Sequence, residues 1–146
     1  MSISGYQFPD IENDKWESNW LIIEGHANLN GRQWTFSDPC MLTSEALYFA
    51  GWLERAAAGE PDREEVDFCE PNLQFSVRKD NTLRISFTHE SIPPWGEYGL
   101  KWNKYGFNVP IGPALVVAAT RLRQQLAHFP IRAGRQPMGI RSPVTS

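Results

Sequence analysis

Cysteine is scarce in this chain: Cys40 and Cys69 are the two among 146 residues, too few and too plainly spaced for a disulfide scaffold or a zinc site. Long apolar runs are missing too, and none approaches the ~18–20 residues that a membrane helix needs. The start, Met1-Ser2-Ile3-Ser4-Gly5, has neither the basic residues nor the apolar stretch of a secretory signal. Gly5, Gly25, Gly31 and Gly51 stand isolated, so no phosphate-binding glycine loop is present. His26, His89 and His128 lie in separate segments, without a second ligand at metal-binding spacing. Together these absences lead us to expect a cytoplasmic protein with reduced thiols, no membrane attachment and no cofactor or metal.

What is present is an ordinary folded composition, 41% hydrophobic and 21% charged, too apolar for a disordered chain and long enough to bury a real core. The net charge of −3 is unevenly spread. Residues 131–146 hold Arg132, Arg135 and Arg141 and no acid. Residues 1–130 therefore carry 11 basic against 17 acidic side chains, a net of −6. An acidic body argues against direct binding of nucleic acid, whose phosphates need a basic face. It suits a basic protein partner.

Along the chain, residues 1–18 read as irregular, with Pro9 and the acids Asp10, Glu12, Asp14 and Glu17. Trp20-Leu21-Ile22-Ile23 reads as a strand, Asn30-Gly31 as a hairpin turn, and Trp34 and Phe36 as alternate residues of the returning strand. Asp38-Pro39 is expected to stop that strand. Thr43 or Ser44 is placed to cap a helix whose stripe is Phe49, Trp52, Leu53 and Ala56, closed by Gly59 and Pro61. Residues 60–70 contain six acids, with Val66 and Phe68 alternating among them as a water-facing edge strand would require. Leu73, Phe75 and Val77, then Leu83, Ile85 and Phe87, alternate with polar residues and predict a second hairpin with one buried face. Leu100–Trp102 and Tyr105–Phe107 suggest a further strand bent at Gly106. A second helix follows on Leu115, Ala118, Ala119, Leu122, Leu126 and Phe129, with Pro113 in its first turn and Pro130 at its close. The expected architecture is α+β: an antiparallel sheet of about six strands, in two or more hairpins, with two amphipathic helices packed on it. Residues 1–130 form the domain and 131–146 a disordered basic tail.

Candidate chemistry is thin. Cys40 lies between a strand end and a helix start, where thiolates can be activated, but Asp38 works against that; Cys69 is flanked by Asp67 and Glu70. Carboxylates are numerous, yet a hydrolase needs two converging in a cleft, which spacing alone does not give. The chain is accordingly read as no enzyme. Six tryptophans are present. Trp20, Trp34 and Trp52 fall in core patterns, whereas Trp16 lies in the acidic loop and Trp95 in a Pro-Pro-Trp-Gly turn. Loop tryptophans either anchor a protein interface or plug the end of a sheet. Both readings hold for Trp16; the plug is favoured for Trp95.

Several ordered blocks carry a resemblance. Gly5-Tyr6-Gln7-Phe8-Pro9-Asp10, Trp16, Asn19-Trp20-Leu21, Asp38-Pro39-Cys40-Met41-Leu42, Trp52-Leu53-Glu54 and Glu70-Pro71-Asn72-Leu73-Gln74-Phe75 are together similar to the WapI-like immunity protein family, over roughly residues 5–130. The resemblance implies a small bacterial cytosolic protein. Without catalysis, it would bind and neutralise the C-terminal toxic domain of a large polymorphic toxin, often a nuclease. It hands over no binding residues. Those come from the residues themselves: Asp10, Glu12, Asp14, Trp16 and Glu17 in one acidic segment, and Asp62, Glu64, Glu65 and Asp67 in the other. Such surfaces mimic phosphates and steer a basic partner. Two other functions fit the same composition. One is a small-molecule or glycan binder stacking on Trp16, Trp95 and Trp102; the other is a carboxylate-dependent hydrolase.

Overall fold

The two hairpins written into the alternating segments belong to two separate sheets. The computed structural model describes residues 1–95 and 105–133. Strands β1 (Ser2–Tyr6), β2 (Trp20–Leu29) and β3 (Arg32–Leu42) form the first sheet, in the order β1-β2-β3. Strands β4 (Glu65–Val66), β5 (Leu73–Val77), β6 (Thr82–Phe87) and β7 (Tyr105–Pro110) form the second, in the order β4-β5-β6-β7. All pairings are antiparallel. Helix α1 (Thr43–Ala57) and helix α2 (Pro113–Leu126) complete an α+β fold.

Asn30 and Gly31 adopt positive φ of 54° and 81°, the turn that their sequence predicts. The strand after it does not stop at Asp38-Pro39, as expected, but runs on to Leu42. Pro39 is tolerated because β3 lies at the edge of its sheet. The register also slips there: Leu21 faces Met41 while Ile23 faces Asp38, so a bulge absorbs the extra residue. The helix cap differs as well. Leu42 is the flanking residue, and its N–H donates to Glu45 Oε1 at 2.9 Å. Thr43 instead donates its hydroxyl to Asn19 Oδ1 at 2.9 Å.

The stripe Phe49, Trp52, Leu53 and Ala56 is buried as its spacing requires. Phe49 packs on Phe75, with ring centroids 4.4 Å apart, and meets Phe68 edge-on. On α2, Leu115, Ala119 and Leu122 are buried, but Ala118, expected in the stripe, faces solvent. Trp34 ties the sheets together, meeting Phe87, Tyr105 and Phe107 edge-on and donating Nε1–H to the Ser91 carbonyl at 3.0 Å.

Residues 1–18, expected to be irregular, contain β1. Its Ile3 pairs with Ile23, and the Ile3 N–H donates to Gln125 Oε1 of α2 at 2.7 Å. Of the segment expected as a disordered tail, the described start is held down. Arg132 Nη1 donates to the carbonyls of Pro9 (2.9 Å) and Ile11 (3.1 Å), and the guanidinium lies 3.7 Å from the Tyr6 ring centroid. Residues 134–146, and the expected strand at Leu100–Trp102, lie outside the described residues.

Candidate functional site: two acidic surfaces and a cleft between sheets

The first acidic segment is a loop between β1 and β2, shaped by its own acids. Asp14 Oδ1 accepts the N–H groups of Trp16 (2.8 Å) and Glu17 (2.7 Å), starting a single 3-10 turn over Glu17–Asn19. Those N–H donors, from Glu17 first and then Trp16, hold the Asp14 carboxyl below its usual range. The turn leaves Trp16 41% exposed, and Asp10, Glu12, Asp14 and Glu17 all face solvent. Beneath it sits Asn19, fully buried. Its Nδ2 donates to the carbonyls of Lys15 (2.9 Å) and Arg132 (3.0 Å), while its Oδ1 accepts from Arg132 N–H (2.9 Å). The loop is therefore a fixed acidic surface with one exposed aromatic, and Arg132 is a cation built into its base.

The second segment divides into committed and uncommitted acids. Asp62 accepts from the Tyr48 hydroxyl at 2.7 Å and from Arg55 Nε at 3.1 Å, and pairs with Arg55 Nη2 at 3.1 Å. Burial works to raise its pKa, but these partners hold the carboxyl below its usual range. Asp62 thus fastens the chain after α1 back onto that helix, helped by Trp52 Nε1–H donating to the Arg63 carbonyl at 2.9 Å. Glu65 accepts from Gln74 across the β4–β5 pair. Glu64 and Asp67 are exposed, with no side-chain hydrogen bond or ion pair among the described residues. No such bond joins the two acidic segments either; one departs from the first sheet and the other from the second.

The remaining candidates resolve into structural roles. Cys40 is buried, and burial followed by the charge of Asp38 pushes its thiol up to about 12, away from a reactive thiolate. Cys69 is raised by burial and by Glu45 and Glu70. His26 pairs with Gln33 and His89 with Thr88, so the two imidazoles serve different neighbours. Among the described residues, no group of three His, Cys, Asp or Glu side chains is placed to hold a metal. Asp38 and Glu90 do converge, both accepting from Asn72 Nδ2 at 3.2 and 3.1 Å. Burial, then Glu90 and Glu70, raise Asp38. Neither acid lines the cleft described next. Trp95 is half-buried, edge-on to Trp34 with Arg32 4.1 Å from its ring centroid, which is the plug arrangement. Trp102 lies outside the described residues.

Sequence reading missed a cleft between the sheets. A pocket of about 220 Å³ has Phe75, Ile85, Phe87 and Phe107 of the second sheet in its wall; a second, of about 540 Å³, lies against the first sheet and is bordered by Ser2, Glu24, Thr35 and Ser37. Met1, Gly25, His26 and Phe36 line both. The signal for it was Gly25. A Cβ there would sit 2.1 Å from the Phe36 ring, so the bare glycine gives that ring its seat across β2.

A model of the immunity protein WapI-like family matches residues 1–130. No curated protein and no solved structure matches the chain.

Proposed function

Because this chain belongs to the immunity protein WapI-like family, we propose that it binds and neutralises, without catalysis, the C-terminal toxic domain of a bacterial polymorphic toxin. The observation that carries this reading is the family match across residues 1–130, the acidic part of the chain. The exposed acids at Asp10, Glu12, Asp14 and Glu17, with Trp16 among them, supply one partner-binding surface. Glu64, Glu65 and Asp67 supply another, steadied by Asp62. Acids fixed in this way resemble the phosphates that a nuclease domain would grip, and they draw a basic partner in quickly. The cytoplasm is where such a toxin domain would have to be met. The small-ligand reading has less support, since Trp95 already has Arg32 over its ring and Trp34 against its edge.

The test is co-expression with a C-terminal toxin domain of a polymorphic toxin from the same cell. Growth should be restored, and the purified pair should elute together and separate only at high salt. Continued killing, with both proteins expressed and no complex formed, would sink the proposal.

A further inference from the structure

Residues 130–132, which follow α2, are fastened to both ends of the first acidic loop. The Arg132 N–H donates to Asn19 Oδ1 at 2.9 Å, and the Arg132 carbonyl accepts from Asn19 Nδ2 at 3.0 Å. Asn19 carries the tie onward, its Nδ2 donating to the Lys15 carbonyl (2.9 Å) and its N–H to the Trp16 carbonyl (3.1 Å). At the other end of the loop, Arg132 Nη1 donates to the carbonyls of Pro9 and Ile11. The Tyr6 hydroxyl donates to the Pro130 carbonyl, and the Arg132 guanidinium lies over the Tyr6 ring. Of the seven large apolar side chains that are exposed among the described residues, Ile11, Trp16 and Ile131 lie at this joint. Exposed apolar residues scattered singly are ordinary, but a group of them with a polar rim marks a contact surface. Asp10, Glu12, Asp14 and Glu17, all exposed, supply that rim, against Lys15.

We infer that Ile131 completes the partner surface of the acidic loop, that Ile11, Trp16 and Ile131 are its apolar anchors, and that Arg132 positions the loop that carries two of them. Ile131 and Arg132 lie past the residues that the family model matches, so the likeness to that family does not supply them. The occupant is a basic face of a toxin domain with an apolar hollow. Charge selects it: four exposed carboxylates surround the anchors, while the one guanidinium among them is engaged by two carbonyls and a ring. A tryptophan set among aliphatic neighbours and ringed by polar groups is the common form of an interface anchor. Holding the loop in place beforehand spares the complex the entropy of ordering it. That the partner is a toxin domain rests on the immunity reading.

The sign of one substitution separates positioning from charge. Arg132→Ala takes a cation off an acidic surface, so a basic partner would bind more tightly if charge were all that mattered. As a clasp, its loss unfastens Pro9 and Ile11 and should weaken binding about tenfold. In an Ile11→Ala background the same substitution should cost about threefold or less, because an anchor that it positions is already gone. Binding is measured by calorimetry on the full chain, with a C-terminal toxin domain of a polymorphic toxin from the same cell. Ile131→Ser, a change at an exposed side chain, should weaken binding about tenfold with the melting temperature little altered. In the free chain, a soluble paramagnetic agent should broaden the Ile11 and Ile131 methyl signals and the Trp16 indole signal, and the toxin domain should shield all three. Shielding before the toxin domain is added would make another part of this chain the occupant and overturn the inference. Unaltered affinity of Ile131→Ser, tighter binding by Arg132→Ala, or an equal loss in both backgrounds overturns it and leaves the immunity reading standing. A parent chain that forms no complex overturns both.

Discussion

At the scale of single residues, Gly25 and Glu45 set the terms for their surroundings. The Phe36 ring occupies the space where a Cβ on residue 25 would stand, so Gly25→Ala must push that ring off β2 and into the cleft. Overpacking of this kind costs about 1–3 kcal/mol, partly offset by the better strand propensity of alanine. A urea midpoint lowered by about that amount, with the Phe36 ring resonances displaced, is expected; an unshifted ring would refute the account of the seat. Glu45 is fully buried, its Oε1 taking the Leu42 N–H and its Oε2 the Cys69 N–H at 2.8 Å. Burial raises its pKa although those N–H groups pull it down. The folded chain therefore binds this proton more readily than the unfolded one. Its contribution is fully present below the ordinary carboxylate range and is lost as pH rises through the raised value. Asp38 acts in the same sense, while Asp14 and Asp62, both lowered, act in the opposite one. The stability advantage of the parent over Glu45→Gln should shrink as pH rises from the carboxylate range toward neutrality. Urea titrations across that interval check it, and a widening gap would mean the N–H pair outweighs burial.

At the scale of elements, the helices and central hairpins were legible because each writes its period within a short window. Phe49, Trp52, Leu53 and Ala56 mark one helical face, and the facing alternations of β5 and β6 mark one sheet face. What was illegible depends on distant parts of the chain. β1 offers Ile3 as its one aliphatic residue, and it is held by Gln125 and by Tyr6 packing edge-on against Phe129. No local pattern encodes those contacts. The continuation of β3 past Pro39 depends likewise on its place at an edge, which a strand's own residues do not declare. The same logic explains the acidic loop: its composition was plain, but Asn19, which anchors it, is one polar residue whose partners are Lys15, Thr43 and Arg132. Asn19→Ala would remove four hydrogen bonds to three segments and should cost about 2–4 kcal/mol. Hydrogen exchange should speed up most in residues 7–18 and around Arg132. Uniform acceleration across the molecule instead would deny Asn19 its role as a local joint.

At the scale of the whole molecule, function depends on how much of the acidic charge is uncommitted. Sequence reading treated Asp62, Glu64 and Glu65 alike, whereas the structure separates them. Asp62 is bound by Tyr48 and Arg55, Glu65 by Gln74, and Glu64 has no side-chain partner among the described residues. Charge reversal should therefore split into two behaviours. Glu64→Lys combined with Asp67→Lys changes the net charge by +4 relative to the −3 of the parent and breaks no bond among the described residues. Its melting temperature should stay within about 2 °C, since exposed, unpaired substitutions of this kind fall within about 0.5 kcal/mol. Association with the toxin domain should slow about tenfold at low salt and approach the parent rate at high salt, where screening removes the steering field. Asp62→Lys should lose stability instead, because it sets a cation against Arg55 and strands the Tyr48 hydroxyl. If the double reversal leaves association and its salt dependence untouched, the 60–67 surface takes no part in recognition. The loop around Trp16 would then have to account for it.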